Sequence, residues 1–285
     1  MDKFYEKIPC STSNLGAGYD VLGLSLKLFL ELEAKIGSRG VSNLSSKLEN
    51  SFLNIESKVH KILSITKPIG LNWSINSDIP IGKGLGSSAS LIVGILKIVS
   101  SVHSIKLSDQ ELITLASSIE GHPDNVSPTI LGGLTISFTD PDGNFKAVKT
   151  TIKDFPQVVV FVPDFSLKTE KARQVVPSEV KISDAIKNIS QTNIILESLY
   201  SKRYDIMQYA IYDRLHENYR AHLIPGYVDV KEKIMNDGAY FASLSGAGLS
   251  IFSFVPANFD PEGPIFKWKE FGINAKYYFL DVHLG

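Results

Sequence analysis

Glycine and hydroxyl residues are concentrated in one segment, IPIGKGLGSSAS, which directly precedes a long apolar run. Glycine has no Cβ, so Gly82, Gly84 and Gly86 would let the backbone approach the oxygens of a ligand without steric clash. Residues 88–102 have the composition of a helix of about four turns. Since a helix N-terminus attracts anions through its unpaired N–H groups and its dipole, the segment predicts a phosphate-binding loop.

Two common phosphate-binding motifs do not fit the spacing of this segment. The Walker motif requires Gly-Lys-Ser/Thr after its last glycine, whereas serine follows Gly86 directly. The dinucleotide fingerprint requires G-x-G-x-x-G, whereas the segment reads G-x-G-x-G. On residue types alone, the alternative is a helix entry whose glycines serve only tight packing.

Hydrophobic patterns predict the elements that would position this loop. Strands are predicted by alternation or short apolar runs, and helices by a period of 3.6 residues. The predicted strands span 3–9, 28–36, 70–76, 134–138, 145–152, 157–163, 240–245, 249–255 and 275–282. The predicted helices span 55–66, 88–102, 107–120, 182–200 and 228–238, with a further helix before the last strand. Ser108 and Glu111 predict a capping box, and Ser183 or Asp184 is the predicted start of the fourth helix.

The interleaving of strands and helices in both halves predicts a fold of two α+β sandwiches. A boundary near Pro156 would divide the chain into a domain of residues 1–155 and a domain of residues 156–285. A glycine-rich loop, STSNLGAGYD, is predicted between the first two strands. The first half would therefore carry both glycine loops.

Composition narrows the class of protein. The chain has 285 residues, of which 44% are hydrophobic and 21% charged, and its net charge is −1. This balance is typical of a globular protein and argues against nucleic acid or a membrane surface as the partner. Cys10 is the single cysteine, which excludes an internal disulfide framework and a thiolate zinc cage. The N-terminus has no apolar signal core, so we expect a cytoplasmic protein.

Six segments resemble motifs of one enzyme family, in the order of that family. PIGKGLGSSAS is similar to the P-x-x-x-G-L-G-S-S-A signature of the GHMP kinases. PCSTSNLGAGYDVLGLSL and EGHPDNVSPTILGG resemble two further blocks of the homoserine kinases within that family. TEKARQVVP and YRAHLIPGY resemble its two arginine segments, and SLSGAGLSIFSF its C-terminal glycine motif. The chain is therefore identified as similar to the homoserine kinase family.

The resemblance implies a two-domain fold and an ATP site. The N-terminal domain would be α/β and similar to ribosomal protein S5, and the C-terminal domain would be ferredoxin-like α+β. ATP is the implied phosphoryl donor, and Ser88 and Glu120 are the implied ligands of Mg²⁺. The residues implied in ATP binding are Pro80, Ile81, Gly82, Lys83, Gly84, Leu85, Gly86, Ser87 and Ser88.

The implied acceptor is L-homoserine, whose carboxylate, ammonium and hydroxyl groups each need a partner. Arg173 and Arg220 are the candidates for the carboxylate, because a guanidinium matches its geometry. Asn14 and Asp20 are the candidates for the ammonium group. Asn125 is the implied residue that orients the hydroxyl, and with Ser88 and Glu120 it completes the expected catalytic set.

A general base is not assigned by the resemblance. Mevalonate-type relatives have an aspartate at the position of Asn125, and an amide cannot accept a proton at neutral pH. Asp124 and His122 are neighbours that could relay a proton. Because the transition state is loose, positioning can carry most of the catalysis.

Other readings stay open at this point. One is a GHMP enzyme acting on a mevalonate-type substrate, as a kinase or a decarboxylase, and another is a non-catalytic binding protein of the same fold. A homodimer is the family expectation for assembly. Leu249 stands where the family usually has proline, so the C-terminal glycine loop is expected to differ in shape.

Overall fold

The first sheet is built on a long hairpin, β1 (Lys3–Ser13) and β2 (Leu22–Ile36), which pairs in antiparallel register. The computed structural model describes residues 3–165 and 169–285. In β2, Leu30, Leu32 and Ala34 are buried and alternate with the glutamates between them, as the pleat of a strand requires. The sheet also contains β3 (Gly40–Val41), β4 (Leu71–Ser77), β5 (Leu134–Thr139) and β6 (Phe145–Lys149). The strand order is β3-β4-β2-β5-β6, and β1 pairs with β2.

Four helices accompany this sheet in the described part of the first half: α1 (Ser46–Ile62), α2 (Ser87–Val102), α3 (Asp109–Glu120) and α4 (Val126–Leu131). α2 is central, and its side chains from Ile92 to Val99 are mostly buried. A helix covered on most sides needs apolar residues all round, which explains the continuous apolar run of α2. The N-terminus of α2 is thereby fixed in the core.

The second sheet contains β7 (Gln157–Pro163), β8 (Phe241–Leu244), β9 (Ile251–Val255) and β10 (Ala275–Leu280), in the antiparallel order β10-β7-β9-β8. Its helices are α5 (Thr169–Gln174), α6 (Ile182–Ser201), α7 (Glu217–Ala221), α8 (Tyr227–Asn236) and α9 (Glu262–Glu270), with a 3₁₀ helix at Tyr204–Ala210. Val158, Val160 and Phe254 pack in the same core cluster as Leu22 and Leu24, so the two sheets share one continuous core.

The predicted mixed α+β fold with two sheets is confirmed. The capping box of α3 is also confirmed, because the Glu111 N–H donates to Ser108 Oγ (3.3 Å) and the Ser108 N–H donates to Glu111 Oε2 (2.7 Å). The division into domains at 155/156 stays a prediction. The strands that flank Pro156 belong to different sheets, and a bridge between Leu26 and Val282 returns the end of the chain to the first sheet.

Several predicted boundaries are wrong. β2 begins at Leu22 rather than at 28. α1 begins at Ser46 rather than at 55, because residues 46–54 are mostly polar and carry little apolar periodicity. Glu56 is buried because it accepts hydrogen bonds from Trp73 Nε1 (2.9 Å) and Arg39 Nε (2.7 Å). α6 begins at Ile182 with Lys181 as its N-cap, so neither Ser183 nor Asp184 caps it.

Several short elements were not predicted: β3, α4, α5, α7 and the 3₁₀ helix. Elements of so few residues carry too little periodicity to be recognised. α5 and α7 nevertheless hold Arg173 and Arg220 respectively. Among the helices of the described residues, none combines the length and the apolar character that crossing a bilayer demands.

Candidate active site

A cleft of about 610 Å³ brings together most of the residues predicted to act in the site. Elements from both halves of the chain line it. The predicted residues in its lining are Asn14, Asp20, Gly82, Gly84, Leu85, Gly86, Ser87, Ser88, Glu120, Asn125, Arg173 and Arg220. His122 and Asp124, considered as a proton relay, line it as well.

The phosphate loop, residues 82–88, has a backbone that only glycine supports at its key positions. Gly82, Gly84 and Gly86 have φ values of 70°, 81° and 66°. A Cβ on Gly84 would lie 2.0 Å from the Ser245 carbonyl oxygen, and a Cβ on Gly86 would lie 2.3 Å from Ser11 Oγ. Gly84 and Gly86 are therefore required by close approach as well as by conformation, and Gly82 by conformation alone.

Gly86 is the N-cap of α2, so the phosphate loop ends at the N-terminus of a buried helix. The first N–H groups of a helix have no acceptor within it, and the helix dipole favours an anion there. The loop is also held from outside, because Ser245 Oγ donates to the Gly84 carbonyl (2.7 Å). A rigid cradle for an anion follows from this arrangement.

Three predicted ATP-binding residues do not line the cleft: Pro80, Ile81 and Lys83. The side chain of Ile81 is 67% exposed. Lys83 Nζ donates to the carbonyl oxygens of Pro163 (2.8 Å) and Phe165 (2.5 Å), and its burial lowers the pKa of the ammonium group. Lys83 thus ties the phosphate loop to the end of β7 and turns away from the cleft.

Ser88 and Glu120 meet at the edge of the phosphate loop. Ser88 Oγ donates to Glu120 Oε2 at 2.7 Å, and Glu120 is the last residue of α3. Burial raises the pKa of the Glu120 carboxyl group, while the hydrogen bond from Ser88 opposes that rise. Within the described residues, no lysine or arginine lies within 4.0 Å of this carboxylate, and His122 Nε2 is 3.9 Å from it.

This pair of oxygen ligands fits a hard divalent cation. Mg²⁺ prefers oxygen donors and commonly takes one or two protein ligands, with water and phosphate oxygens completing its shell. A half-buried carboxylate beside a hydroxyl, with no lysine or arginine of the described residues within 4.0 Å of it, matches that requirement. The residues present therefore suit the metal that the sequence implied.

Arg220 is a buried cation that forms no ion pair with the described residues. Its side chain is 1% exposed, and Nε donates to the Ala172 carbonyl at 2.9 Å. Nη1 donates to His216 Nδ1 (3.1 Å) and to the Gly246 carbonyl (3.3 Å). Nη2 has no hydrogen-bond partner among the described residues, and no described carboxylate lies within 4.0 Å of the guanidinium. Burial lowers the pKa of Arg220, because removal from water disfavours the charged form of the guanidinium.

An unpaired buried guanidinium is costly, so its retention points to an anionic ligand. Arg173 lines the same cleft from α5 and is half-buried. The cleft thus contains two guanidinium groups in addition to the phosphate loop. One part of the cleft suits a polyphosphate and the other suits a carboxylate.

Comparisons with known proteins identify the family of the chain. The model of the GHMP kinases N terminal domain matches residues 43–133. The homoserine kinase of Clostridium botulinum (strain Eklund 17B / Type B) is 37% identical over 258 residues, covering 87% of this chain and 85% of that protein. The homoserine kinase of Persephonella marina is 34% identical over 290 residues, covering 97% and 94%.

The chain belongs to the homoserine kinase family of GHMP kinases. A crystal structure of homoserine kinase from Cytophaga hutchinsonii matches the fold with a TM-score of 0.85 at 22% identity, covering 100% of this chain and 96% of that one. The Methanococcus jannaschii mevalonate kinase matches with a TM-score of 0.68 at 18% identity, covering 99% and 98%. These likenesses show the GHMP kinase fold, and the predicted kinase class is confirmed.

In this GHMP kinase, His122 and Asp124 form a buried pair beside Asp20. His122 Nδ1 is 2.5 Å from Asp124 Oδ1. Burial opposes ionisation of both groups, but their mutual attraction prevails, so the pKa of Asp124 is lowered and that of His122 is raised. Burial and the charge of Asp124 raise the pKa of Asp20. The carboxylate of Asp20 has no ion-pair partner in the described chain and faces the cleft.

Asn125 is held by two serines of β1. Its Nδ2 donates to Ser13 Oγ (2.9 Å), and its Oδ1 accepts from Ser11 Oγ (3.0 Å). The amide orientation is therefore fixed, and one N–H of Nδ2 remains for a ligand. That Asn125 orients the acceptor hydroxyl stays a prediction.

The side chain of Asn14 forms hydrogen bonds to the protein backbone. Its Nδ2 donates to the Gly246 carbonyl (2.9 Å), and its Oδ1 accepts from the Asp20 N–H (3.0 Å). Asn14 and Asp20 have φ values of 72° and 56°, so the loop between β1 and β2 is held in a strained shape. Asp20 is the residue of this pair whose carboxylate remains available to an ammonium group.

The turn between β8 and β9 supplies lining residues that the sequence analysis did not assign to the site. Ala247 and Gly248 line the cleft, as does Ser13 at the end of β1. The GAG sequence of this turn was recognised as a motif, but nothing in it indicated contact with the phosphate loop. Leu249 has a φ of 133°, a value that the ring of a proline forbids, so this loop differs in shape from one with proline there.

Proposed function

We propose that this family member transfers the γ-phosphoryl group of ATP to the side-chain hydroxyl of L-homoserine, giving O-phospho-L-homoserine and ADP. Relatives at 34–37% identity are named homoserine kinase. The observation that carries the proposal is Arg220, a buried guanidinium with an unpartnered Nη2 in the cleft that also contains the phosphate loop. A phosphate cradle and a carboxylate site in one cleft fit an acidic alcohol as acceptor.

The phosphate loop would bind the triphosphate through its backbone N–H groups and the N-terminus of α2. Ser88 and Glu120 would hold Mg²⁺, which supplies neutralisation of the phosphate charge when it is bound. The hydrogen bond between Ser88 and Glu120 keeps both oxygens side by side in readiness for that role. ATP and Mg²⁺ are therefore the proposed cofactors.

The opposite part of the cleft would bind L-homoserine. Arg220 and Arg173 would hold the carboxylate, with the free Nη2 of Arg220 as one donor. Asp20 would accept the ammonium group, since its carboxylate faces the cleft without a partner in the described residues. Because the carboxylate and the ammonium are both attached to the α-carbon, holding the two groups would fix the direction in which the side chain and its hydroxyl point.

Positioning would then carry the reaction. The acceptor oxygen forms a bond to the γ-phosphorus as the bond to the ADP oxygen breaks, and the hydroxyl proton leaves to a base or to water. Asn125 would donate its free N–H to the acceptor hydroxyl, and it cannot take the proton. Asp124, held ionised by His122, is the carboxylate that could receive the proton. A loose transition state needs little assistance from a base before the new bond forms.

An acceptor screen in a coupled ADP-release assay tests the proposal. We expect ATP turnover to be stimulated by L-homoserine and not by mevalonate, an acidic alcohol that lacks the ammonium group. Equal or greater turnover with mevalonate would overturn the proposed specificity. ADP release that no alcohol stimulates would overturn the proposed reaction.

The same proposal places the protein in threonine biosynthesis, in the cytoplasm and as a homodimer, as the family resemblance implies. Light scattering coupled to size-exclusion chromatography measures the assembly directly. A mass near twice 31.4 kDa is expected. A mass of a single chain at micromolar concentration would contradict the homodimer.

A further inference from the structure

We propose that His216 is a positioning residue for the acceptor site, acting through a neutral imidazole that carries its proton on Nε2. This inference rests on the proposed function, because it concerns how Arg220 is aimed at the acceptor carboxylate. His216 is 0% exposed and lies between α7 and the loop that joins β1 and β2. It does not line the cleft, so it acts on the ligand only through its neighbours.

The two partners of the ring determine which nitrogen carries the proton. His216 Nε2 is 2.9 Å from the Gly16 carbonyl oxygen, which can only accept a hydrogen bond. His216 Nδ1 is 3.1 Å from Arg220 Nη1, which can only donate. Nε2 must therefore be protonated and Nδ1 must be bare. The His216 ring therefore links the loop between β1 and β2 to the Arg220 guanidinium, about 200 residues further along the chain.

Tyr19 completes this arrangement, and we refer to Tyr19, His216 and Arg220 as the acceptor wall. The Tyr19 ring stacks on the His216 ring, with centroids 4.9 Å apart and planes at 19°. Arg220 Cζ lies 5.2 Å from the centroid of the same tyrosine ring. A cation over an aromatic face is attracted to it, so Tyr19 covers both members of the pair.

The start of α7, the helix that carries His216 at its N-cap and Arg220 of the acceptor wall, is held in place by Asp213. Asp213 Oδ2 accepts from the N–H groups of His216 and Glu217, each at 2.6 Å, and thereby caps α7. Asp213 Oδ1 accepts from Asn188 Nδ2 (2.7 Å), which also donates to the Ala17 carbonyl (3.1 Å). The glycine loop is thus held from α6 and from α7 at once.

The direction of the Arg220 guanidinium depends on this support. Without the acceptor at Nδ1, Nη1 would keep only the longer contact to the Gly246 carbonyl at 3.3 Å. A bidentate grip on a carboxylate requires the guanidinium plane to be set, and a small rotation weakens both hydrogen bonds. Loss of the Nδ1 acceptor should therefore weaken binding of the acceptor and leave ATP binding unchanged.

Two amide substitutions separate the functions of the ring. In His216→Asn the amide oxygen can take the place of Nδ1, and in His216→Gln the amide nitrogen can take the place of Nε2. Both remove the stack on Tyr19, so each is the control for the other. We expect His216→Gln to raise the KM for L-homoserine by about tenfold or more, as loss of a hydrogen bond to a charged group implies. His216→Asn should stay within about threefold of the wild type by the same reasoning, and the KM for ATP should hold in both.

Equal rises in KM for the two variants, no rise in either, or a parallel rise in the KM for ATP would overturn the inference. Should a variant fail to fold, nitrogen NMR of the wild-type ring tests the same claim. The inference requires Nε2 protonated and Nδ1 bare at neutral pH, and a protonated Nδ1 contradicts it. If the wild-type protein does not turn over L-homoserine, only the proposed function is contradicted. The protonation state of the His216 ring is measured separately, by NMR.

Discussion

The phosphate loop and the acceptor wall lie in or beside the same cleft but are built in opposite ways. The phosphate loop is contiguous, and its main working groups are backbone N–H groups exposed by Gly82, Gly84 and Gly86. The acceptor wall is assembled from side chains about 200 residues apart in sequence, with Tyr19 stacked on the buried His216 ring and Arg220 hydrogen-bonded to it. The first depends on the absence of side chains and the second on their complete pairing.

This difference determines how each region tolerates change. A backbone cradle fails when a Cβ intrudes on a close approach, as it would at Gly84 and Gly86. A buried polar network fails when a single partner is lost, because an unpaired buried group costs more than the bond contributes. The predictions below probe the two regions separately, from the largest expected effect to the smallest.

Removing the charge of Glu120 should have the largest effect on the phosphate side. We expect Glu120→Gln to lower kcat by about 100-fold or more, since a metal ligand stabilises charge in the transition state. The measurement is steady-state turnover at saturating ATP and Mg²⁺. Glu111→Gln on the same helix is the control, because Glu111 is exposed and bonds only within its capping box. Wild-type kcat in Glu120→Gln would contradict the metal role.

On the acceptor side, Arg173→Lys replaces a planar fork by a point charge. We expect a loss of about 1.5–3 kcal/mol in kcat/KM for L-homoserine. Arg203→Lys serves as the control, because Arg203 is exposed and lies outside the cleft. A loss below about 0.5 kcal/mol, typical of surface substitutions, would remove Arg173 from the site.

A pair of glycine substitutions tests whether the phosphate loop depends on close approach. Gly84→Ala and Gly82→Ala share the cost of a positive φ, about 1–2 kcal/mol. Gly84→Ala also places a Cβ 2.0 Å from the Ser245 carbonyl oxygen, whereas a Cβ on Gly82 meets nothing within 4 Å. We expect Gly84→Ala to lose at least about 1 kcal/mol more in the free energy of unfolding, with a higher KM for ATP. Equal losses in denaturant titrations would show that the contact with Ser245 does not matter.

The smallest expected effect is a rise in the KM for L-homoserine at acidic pH. Burial, together with the charge of Arg220, lowers the pKa of His216, although Asp213 and Glu217 oppose this. Because the pKa of His216 is lowered, the neutral ring that accepts from Arg220 is fully present above about pH 6.5. This neutral form is lost as the pH falls further. We therefore expect a flat KM between about pH 6.5 and 8 and a rise on further acidification.

His216→Asn isolates this titration, because it removes the titrating group and retains the charged neighbours Asp213, Glu217 and Arg220. The acid-side rise should be smaller in His216→Asn than in the wild type. Profiles of the same shape in the two proteins would assign the rise to other groups in the cleft.

The phosphate loop and the helix after it could be predicted from sequence because their signals are local. A glycine motif followed by a continuous apolar run determined both the site and the start of α2 to within one residue. The capping box of α3 was equally local. By contrast, the start of α1 was missed because its first turns are mostly polar, and the burial of Phe52 depends on Trp73, which lies in another element.

The acceptor wall could be predicted only in part. Family motifs drew attention to Arg220, but nothing near it in sequence indicated that His216 and Gly16 would support it. The same limit explains Lys83, whose place in a glycine motif predicted a phosphate contact although its ammonium group binds carbonyl oxygens after β7. Side-chain direction depends on tertiary neighbours that a motif does not contain.

The central claim is that a buried guanidinium selects an acceptor with a carboxylate. Its most direct test compares kcat/KM for L-homoserine with that for 3-amino-1-propanol, which differs by lacking the carboxylate. We predict a preference for L-homoserine of at least about 100-fold, because the shorter acceptor leaves Arg220 unpaired in a buried site. Comparable values of kcat/KM for the two alcohols would contradict the account.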